Sequence, residues 1–364
     1  MKPMTRVLLI VALLLEFSFA PGVEAGWEED WEKTLAKARQ EGRVVLGTNL
    51  GVPGFRQAVT TLFQKRFGVP IELRVLGSAE LTAVVGRECG AGRPSMDVLL
   101  SGNAELIGIY PKGCLTPLKP RLILPEVSNG ENWRGGILKF NDPERQYVLQ
   151  TGEEVYGWIL INSEQIKAQE IISAKDLLKP QYKGKIASFD PRQGGAAQNA
   201  AAYLLTVFGE DFIRRLFADQ KVVITSDHRQ LAEWIARGVY PIGFGTVERA
   251  IDPLRRENLP LATVTFQDAP GYLSGSSSVV KLVKDGPHPN AATVLANWLG
   301  TKEWQEIFSR EVSLPSRRTD VRVEGIADYL VPKPGVKYLD SFDHEYYVKK
   351  RPEVVKVLVN ILGR

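Results

Sequence analysis

Residues Val155–Asn162, Val-Tyr-Gly-Trp-Ile-Leu-Ile-Asn, form an apolar run of strand length rich in β-branched and aromatic side chains. A charged, Gly-containing loop at Thr151–Glu154 precedes it, and a helix-start signal at Asn162-Ser163 with Gln165 follows. A second such run, Ser277–Val283, comes after the flexible stretch Gly271-Tyr-Leu-Ser-Gly-Ser. A chain with one run entering and one leaving a large block passes twice between two bodies. That pattern predicts a ligand cleft between two α/β lobes.

The rest of the chain fits two such bodies, because strands and helices alternate on both sides of the first crossing. Gly26–Glu41 reads as a helix, with Trp27, Trp31, Leu35 and Ala38 on one face and Gly42 as its stop. Strands are predicted at Arg43–Asn49, Ile71–Leu76 and Asp97–Leu100, with helices at Phe55–Phe67 and Ala79–Gly90, the latter capped by Ser78. Beyond Asn162, strands are predicted at Lys185–Phe189, Val222–Thr225, Pro241–Phe244 and Leu261–Phe266, with helices at Ala196–Phe208, Asp211–Phe217 and Gln230–Gly238. Two tandem helices, Pro289–Gly300 and Thr301–Glu311, an extended Leu314–Arg318 and a final helix, Pro352–Leu362, complete the chain. The expected division is 26–157 plus 277–364 for one lobe and 158–276 for the other.

Ligands of open parallel sheets sit beyond the carboxyl ends of the strands. The turns there are Thr48-Asn49-Leu50-Gly51, Gly77-Ser78, Ser101-Gly102-Asn103, Arg192-Gln193-Gly194-Gly195, Ser226-Asp227 and Gly245-Thr246. They are small, polar and glycine-rich, and several run straight into helices. Glycine admits close backbone approach, and the free N–H groups of a helix start favour anionic or carbonyl groups. The candidate contacts are therefore Thr48, Asn49, Gly77, Ser78, Ser101, Asn103, Gln193, Gly194 and Thr246, with Arg192 as a clamp on a carboxylate or phosphate. Asp227 is read as a ligand contact or a helix cap, Tyr272 as an apolar wall of the cleft, and Trp158 as core.

Catalytic signatures are thin. GxSxG, HExxH, GxxxxGK[ST] and a GxGxxG after a strand are all missing. Asp227-His228 with a serine chosen freely is no triad without geometry. Metal binding is poorly supported, with no CxxC and with His228, His288 and His344 far apart, so no metal and no cofactor are expected. Tyr346-Tyr347 lies beside the final helix, far from the predicted strand ends, and reads as packing.

The net charge of +4 is modest, and no polybasic run or aromatic-basic stripe accompanies it, so no nucleic-acid partner is expected. Residues 1–25 have the parts of a secretory signal: Lys2 and Arg6, the apolar Val7–Leu15, and Val23-Glu24-Ala25 for a cut after Ala25. Nine apolar residues are too short to span a bilayer. Export makes sense of two cysteines, Cys89 and Cys114, whose pairing an oxidising compartment favours and would stabilise by roughly 3 kcal/mol. The alternative is two buried thiols.

Four stretches resemble the extracellular solute-binding proteins of ABC importers, in the branch that holds ferric-iron, thiamine, phosphonate and sugar-phosphate binders. They are Val44–Asn49 after an N-terminal helix, Met96–Leu100, Gly184–Ala187 before Asp190-Pro191, and Gly286–Ala292 through Trp298-Leu299, Lys302-Glu303 and Pro315–Arg318. The resemblance implies a type II periplasmic-binding-protein-like α/β fold: two lobes, each a mostly parallel sheet flanked by helices, joined by two crossover strands. It further implies a periplasmic monomer, not an enzyme, that captures a small solute and delivers it to an ABC importer permease in the inner membrane. Iron binders of the branch carry tyrosines where this chain has Gly47-Thr48 and Thr246-Val247-Glu248, so Fe³⁺ fits less well than a small anionic solute. The rival readings are an exported enzyme on the same fold, using Asp227-His228, and a sensory module that docks on a receptor.

Overall fold

The computed structural model describes residues 26–193 and 195–363, so the expected leader, residues 1–25, and the candidate contact Gly194 lie outside the described residues. Three sheets organise the chain. The first holds β1 (Val44–Thr48), β2 (Ile71–Val75), β3 (Val98–Ser101), β4 (Leu115–Thr116), β5 (Lys139–Phe140) and β6 (Leu149–Gln150), together with the returning β14. β1 lies parallel between β2 and β3, and every one of its positions is buried, as a strand covered on both faces requires. Space at Gly47 is tight: a Cβ there would lie 2.7 Å from Met96 Sδ and 2.9 Å from Leu81 Cδ1, so a side chain would require those ends to shift.

The helices on this sheet are α1 (Gly26–Glu41), α2 (Pro53–Phe67), α3 (Ser78–Gly90) and the short α4 (Glu105–Gly108) and α5 (Pro125–Ser128). Phe55, Phe63, Trp298, Trp304 and Phe308 pack as one aromatic cluster, with Trp298 and Trp304 ring centres 4.4 Å apart. Cys89 and Cys114 form a disulfide that ties α3 to the edge of the sheet at β4.

The run Val155–Asn162 is two strands rather than one. β7 (Glu154–Tyr156) and β8 (Ile159–Asn162) are separated by Gly157, whose φ of 114° no L side chain tolerates easily. β8 enters the second sheet with β9 (Ile186–Phe189), β10 (Val223–Thr225), β11 (Ile242–Phe244) and β12 (Leu261–Val264), in the order β10-β9-β11-β8-β12. Strands β10, β9 and β11 are parallel, and β8 runs antiparallel to both neighbours. This body carries α6 (Gly195–Arg214), α7 (His228–Ala236) and α8 (Glu248–Arg256).

The return crossing also departs from expectation. The stretch read as flexible contains β13 (Tyr272–Ser274), which pairs antiparallel with β7, Tyr272 opposite Tyr156. Gly157 and Gly271 meet at this crossing: a Cβ on Gly157 would lie 2.7 Å from Gly271 Cα, and one on Gly271 would lie 2.2 Å from the Tyr156 carbonyl. β14 (Val279–Val283) then lies antiparallel to β3 in the first sheet, followed by α9 (Pro289–Gly300) and α10 (Lys302–Val312).

The tail beyond Arg318 does not stay with the first body, although the expected division places residues 277–364 there. Leu330 shares a core with Trp158, Leu231 and Ile251. β15 (Leu339–Asp340) adds a third strand to the crossing, parallel to β13. Phe342 and Tyr347 enter the first body's core, while Tyr346 and the final helix α11 (Arg351–Leu362) pack into the second, largely on α6. Among the described residues no helix is long and apolar enough to cross a membrane.

Candidate functional site

The carboxyl ends of strands from both main sheets face one cavity of about 320 Å³. Asn49 follows β1, Ser78 follows β2, Gly102 and Asn103 follow β3, Gln193 and Gly195 follow β9, and Val247 follows β11; His228 opens the helix after β10. Four of the six turns singled out in the sequence line this cavity, and the other two, Ser226-Asp227 and Gly245-Thr246, adjoin it through His228 and Val247. An adjoining cavity of about 590 Å³ shares Tyr156, Val247, Arg249, Ser276 and Ser277 with it and extends toward α2 and α10.

Buried polar atoms without partners gather along this cleft. Among the described residues they include Asn49 Oδ1, Asn103 Nδ2, Glu154 Oε1, Asn199 Oδ1, His228 Nδ1 and, beside Val247, Thr246 Oγ1. Folded proteins satisfy nearly all such groups, so a cluster of them at one cavity marks atoms kept for a ligand or its water. The helix starts reinforce this. Neither Gly77, ahead of α3, nor Val247, ahead of α8, offers a side chain to cap the first N–H groups, which stay available at the cavity.

The first body's wall is held from beneath. Lys281, in the middle of β14, is fully buried together with Glu105, and its Nζ donates to Glu105 Oε2 at 2.9 Å, Ser101 Oγ at 2.7 Å and the Gly102 carbonyl at 2.7 Å. Burial lowers the Lys281 pKa and the Glu105 carboxylate opposes that shift. The network fixes the 101–105 turn that presents Asn103, whose Oδ1 accepts from Asn141 at 3.2 Å. Asn49 Nδ2 donates to Ser78 Oγ at 3.0 Å, locking two neighbouring turns together.

The second wall carries the charge. Arg249, in the first turn of α8, lines the cavity, and so does Arg351 of α11. His228 stacks on Phe189 with ring centres 3.8 Å apart. Its pKa is pushed down to about 4, chiefly by burial and then by the Arg249 cation, so the ring is neutral at physiological pH. At the floor, Glu154 is buried on β7, and burial pushes its pKa up to about 7. Burial likewise raises Tyr156 and Tyr347, keeping both phenols neutral.

Several sequence candidates are placed elsewhere. Arg192 is not in the cavity: it grips Asp190 through Nε and Nη2, both at 2.8 Å, and donates to the Gly363 carbonyl. Asp227 is the cap of α7, accepting from Arg229 and Gln230 N–H groups. Thr48 is buried and turned inward, accepting from Leu50 N–H, and Ser101 is engaged by Lys281. Tyr272 is fully buried behind Tyr156, its ring stacked at 5.7 Å and its hydroxyl donating to the Ala196 carbonyl. Trp158 is core, packed edge-on to Tyr329. Tyr346-Tyr347 is buried packing, yet Tyr347 also touches the cavity. The sequence reading missed Arg249, Asn199, Lys281 and Arg351; only Arg249, three residues past the Thr246 turn in a helix start, carried a local signal.

Two sheet-centred bodies joined by a strand crossing, with a polar cavity at their facing strand ends, define a type II periplasmic-binding-protein fold. Solved structures share it. A Trichodesmium protein (IdiA, FutA) in complex with iron and citrate superposes with a TM-score of 0.66 at 18% identity, covering 89% of this chain and 100% of that one. The periplasmic binding protein AfuA of Actinobacillus pleuropneumoniae, with fructose-6-phosphate bound, gives 0.65 at 19% identity, covering 89% and 99%. An ABC transporter structure from Clostridium perfringens gives 0.67 at 18% identity, covering 88% and 99%. Residues 158–311 match the family described as bacterial extracellular solute-binding protein. An uncharacterized Haemophilus influenzae protein is 30% identical over 296 residues, which cover 74% of this chain and 76% of that protein. The chain belongs to the bacterial extracellular solute-binding proteins.

Proposed function

We propose that this protein is the periplasmic substrate-binding subunit of an ABC importer, exported by its residues 1–25, and that it captures a small organic anion between its lobes. One lobe comprises residues 26–157 with 277–318, and the other 158–276. The observation that carries this reading is the convergence, on one cavity, of unpartnered amide and imidazole atoms, uncapped helix starts and the Arg249 guanidinium. Such a site meets an anion with charge-assisted hydrogen bonds while the surrounding body excludes water. Closing of the lobes is a shift toward the ligand-bound form, and the closed form is the one handed to the membrane permease.

Fe³⁺ fits this cavity poorly. Two guanidinium groups line it and, among the described residues, no carboxylate does, whereas a ferric ion favours anionic oxygen ligands. The test is a thermal-shift screen of phosphate esters, phosphonates, carboxylates, sugars and ferric citrate, repeated with Arg249→Gln. A ligand that binds the native state raises the melting temperature by mass action. An anionic hit that Arg249→Gln weakens supports the reading. Stabilisation by neutral sugars or by iron alone, untouched by that substitution, overturns it.

A further inference from the structure

The strand that thickens the crossing and the helix that closes the cavity come from one stretch, Leu339–Leu362. β15 pairs with β13, and Ser341 fastens it by donating its N–H and Oγ to the Leu273 carbonyl at 3.0 and 2.7 Å. Lys139 of the first body pairs with Asp340. Phe342 and Tyr347 then enter the first body's core, and α11 lies on α6 of the second. The tail is thus bonded to both bodies and to the strands between them.

Arg351 stands where this strap meets the cavity. Its Nε donates to the neutral Gln198 Oε1 at 2.7 Å, and its guanidinium lies 4.5 Å from the Tyr347 ring centre. Arg192, Arg255, Arg317 and Arg318 each rest on a carboxylate; among the described residues Arg351 has none within ion-pairing reach. Arg351 lines the cavity together with Asn103 and Asn199, side chains 2% and 7% exposed whose Nδ2 and Oδ1 atoms respectively lack partners, while the Tyr347 hydroxyl bonds to part of the guanidinium. A guanidinium stacked on one side and held at Nε by a neutral amide is pre-set to present its fork to an anion.

We infer that Arg351 is a specificity-determining anion contact, carried into the site by the C-terminal tail, and that a bound anion fastens that tail across both bodies. The inference rests on the anion reading of the cavity. Calorimetry with inorganic phosphate and with citrate tests it on the wild type and on Arg249→Gln, Arg351→Gln and Gln198→Glu. Gln198→Glu keeps the side-chain shape and places a carboxylate on Arg351, using up its charge without removing a buried group. Both Arg351→Gln and Gln198→Glu are expected to weaken anion binding roughly 10- to 100-fold, the scale of one charge-assisted hydrogen bond. Hydrogen exchange of residues 339–362 is expected to slow when the anion binds the wild type and not when it is added to Gln198→Glu. If Arg249→Gln loses affinity while Gln198→Glu binds like the wild type, the role of the tail falls and the anion site stands. Unchanged exchange in 339–362 on binding also overturns it. If the wild type binds neither phosphate nor citrate nor any other anion of the thermal-shift screen, both readings fall together.

Discussion

The two walls of the cleft are built on different principles. The first body offers uncharged groups, Asn49, Ser78 and Asn103, each on a turn braced by buried bonds, the strongest being the Lys281–Glu105–Ser101 network beneath the 101–105 turn. The second body and the tail offer Arg249, Arg351 and a neutral His228 on side chains that reach from helix starts. The first wall is rigid before a ligand arrives, so its contribution is shape. The second holds the charge, on Arg249 and on an Arg351 already stacked on Tyr347, so its contribution is attraction.

That contrast breaks most visibly at Lys281. Replacing it by Met leaves the Glu105 carboxylate buried and alone, with an expected loss of about 3–5 kcal/mol in urea unfolding. A loss below about 1 kcal/mol would show that the first wall is not braced as described. Next in size is Arg249→Gln, expected to lower anion affinity by about 1.5–3 kcal/mol in calorimetry while leaving the melting temperature of the empty protein unchanged. A variant that shifts both equally would make Arg249 structural.

The pH dependence separates the second wall from the floor. His228 has a folded pKa of about 4 against an ordinary 6.5, so the unfolded chain takes up the proton first. Its stability contribution is present above pH 6.5 and is lost as pH falls from there toward 4. Glu154 runs the other way, with a folded pKa of about 7 against an ordinary 4.5: its contribution is present below 4.5 and is lost as pH rises through 7. Melting temperatures across this range should lose the acid limb in His228→Asn and the opposite limb in Glu154→Gln. Each slope is at most about 1.4 kcal/mol per pH unit. Smallest is Asn103→Ala, expected to cost about 0.5–1.5 kcal/mol of anion affinity with no change in its salt dependence, since it removes a neutral donor.

The turns around the cleft were legible in the sequence because each is a local event: a buried strand, a Gly, Ser or Asn, and a helix start. The alternation of elements was legible for the same reason, and β1, β9 and α7 lie within a residue or two of expectation. Arg192 misled because its partner is also local: Asp190, two residues earlier, draws the guanidinium back onto its own turn. Lys281 and Arg351 were not legible, because their partners Glu105 and Gln198 are 176 and 153 residues away and no spacing announces them. The crossing was recognised but drawn as one long strand, since a strand-length apolar run does not show that Gly157 turns to φ 114° and cuts it in two.

That glycine and its opposite number, Gly271, have a consequence for the whole molecule. Where the two backbones touch, the separation is set by what is missing: a methyl at either residue would meet main chain at 2.7 or 2.2 Å. Adding one carbon would act as a wedge at the spine of the protein, prising apart the strands from which Glu154, Tyr156 and Ser274 hang. The width of the mouth is therefore written, in part, in two absent side chains.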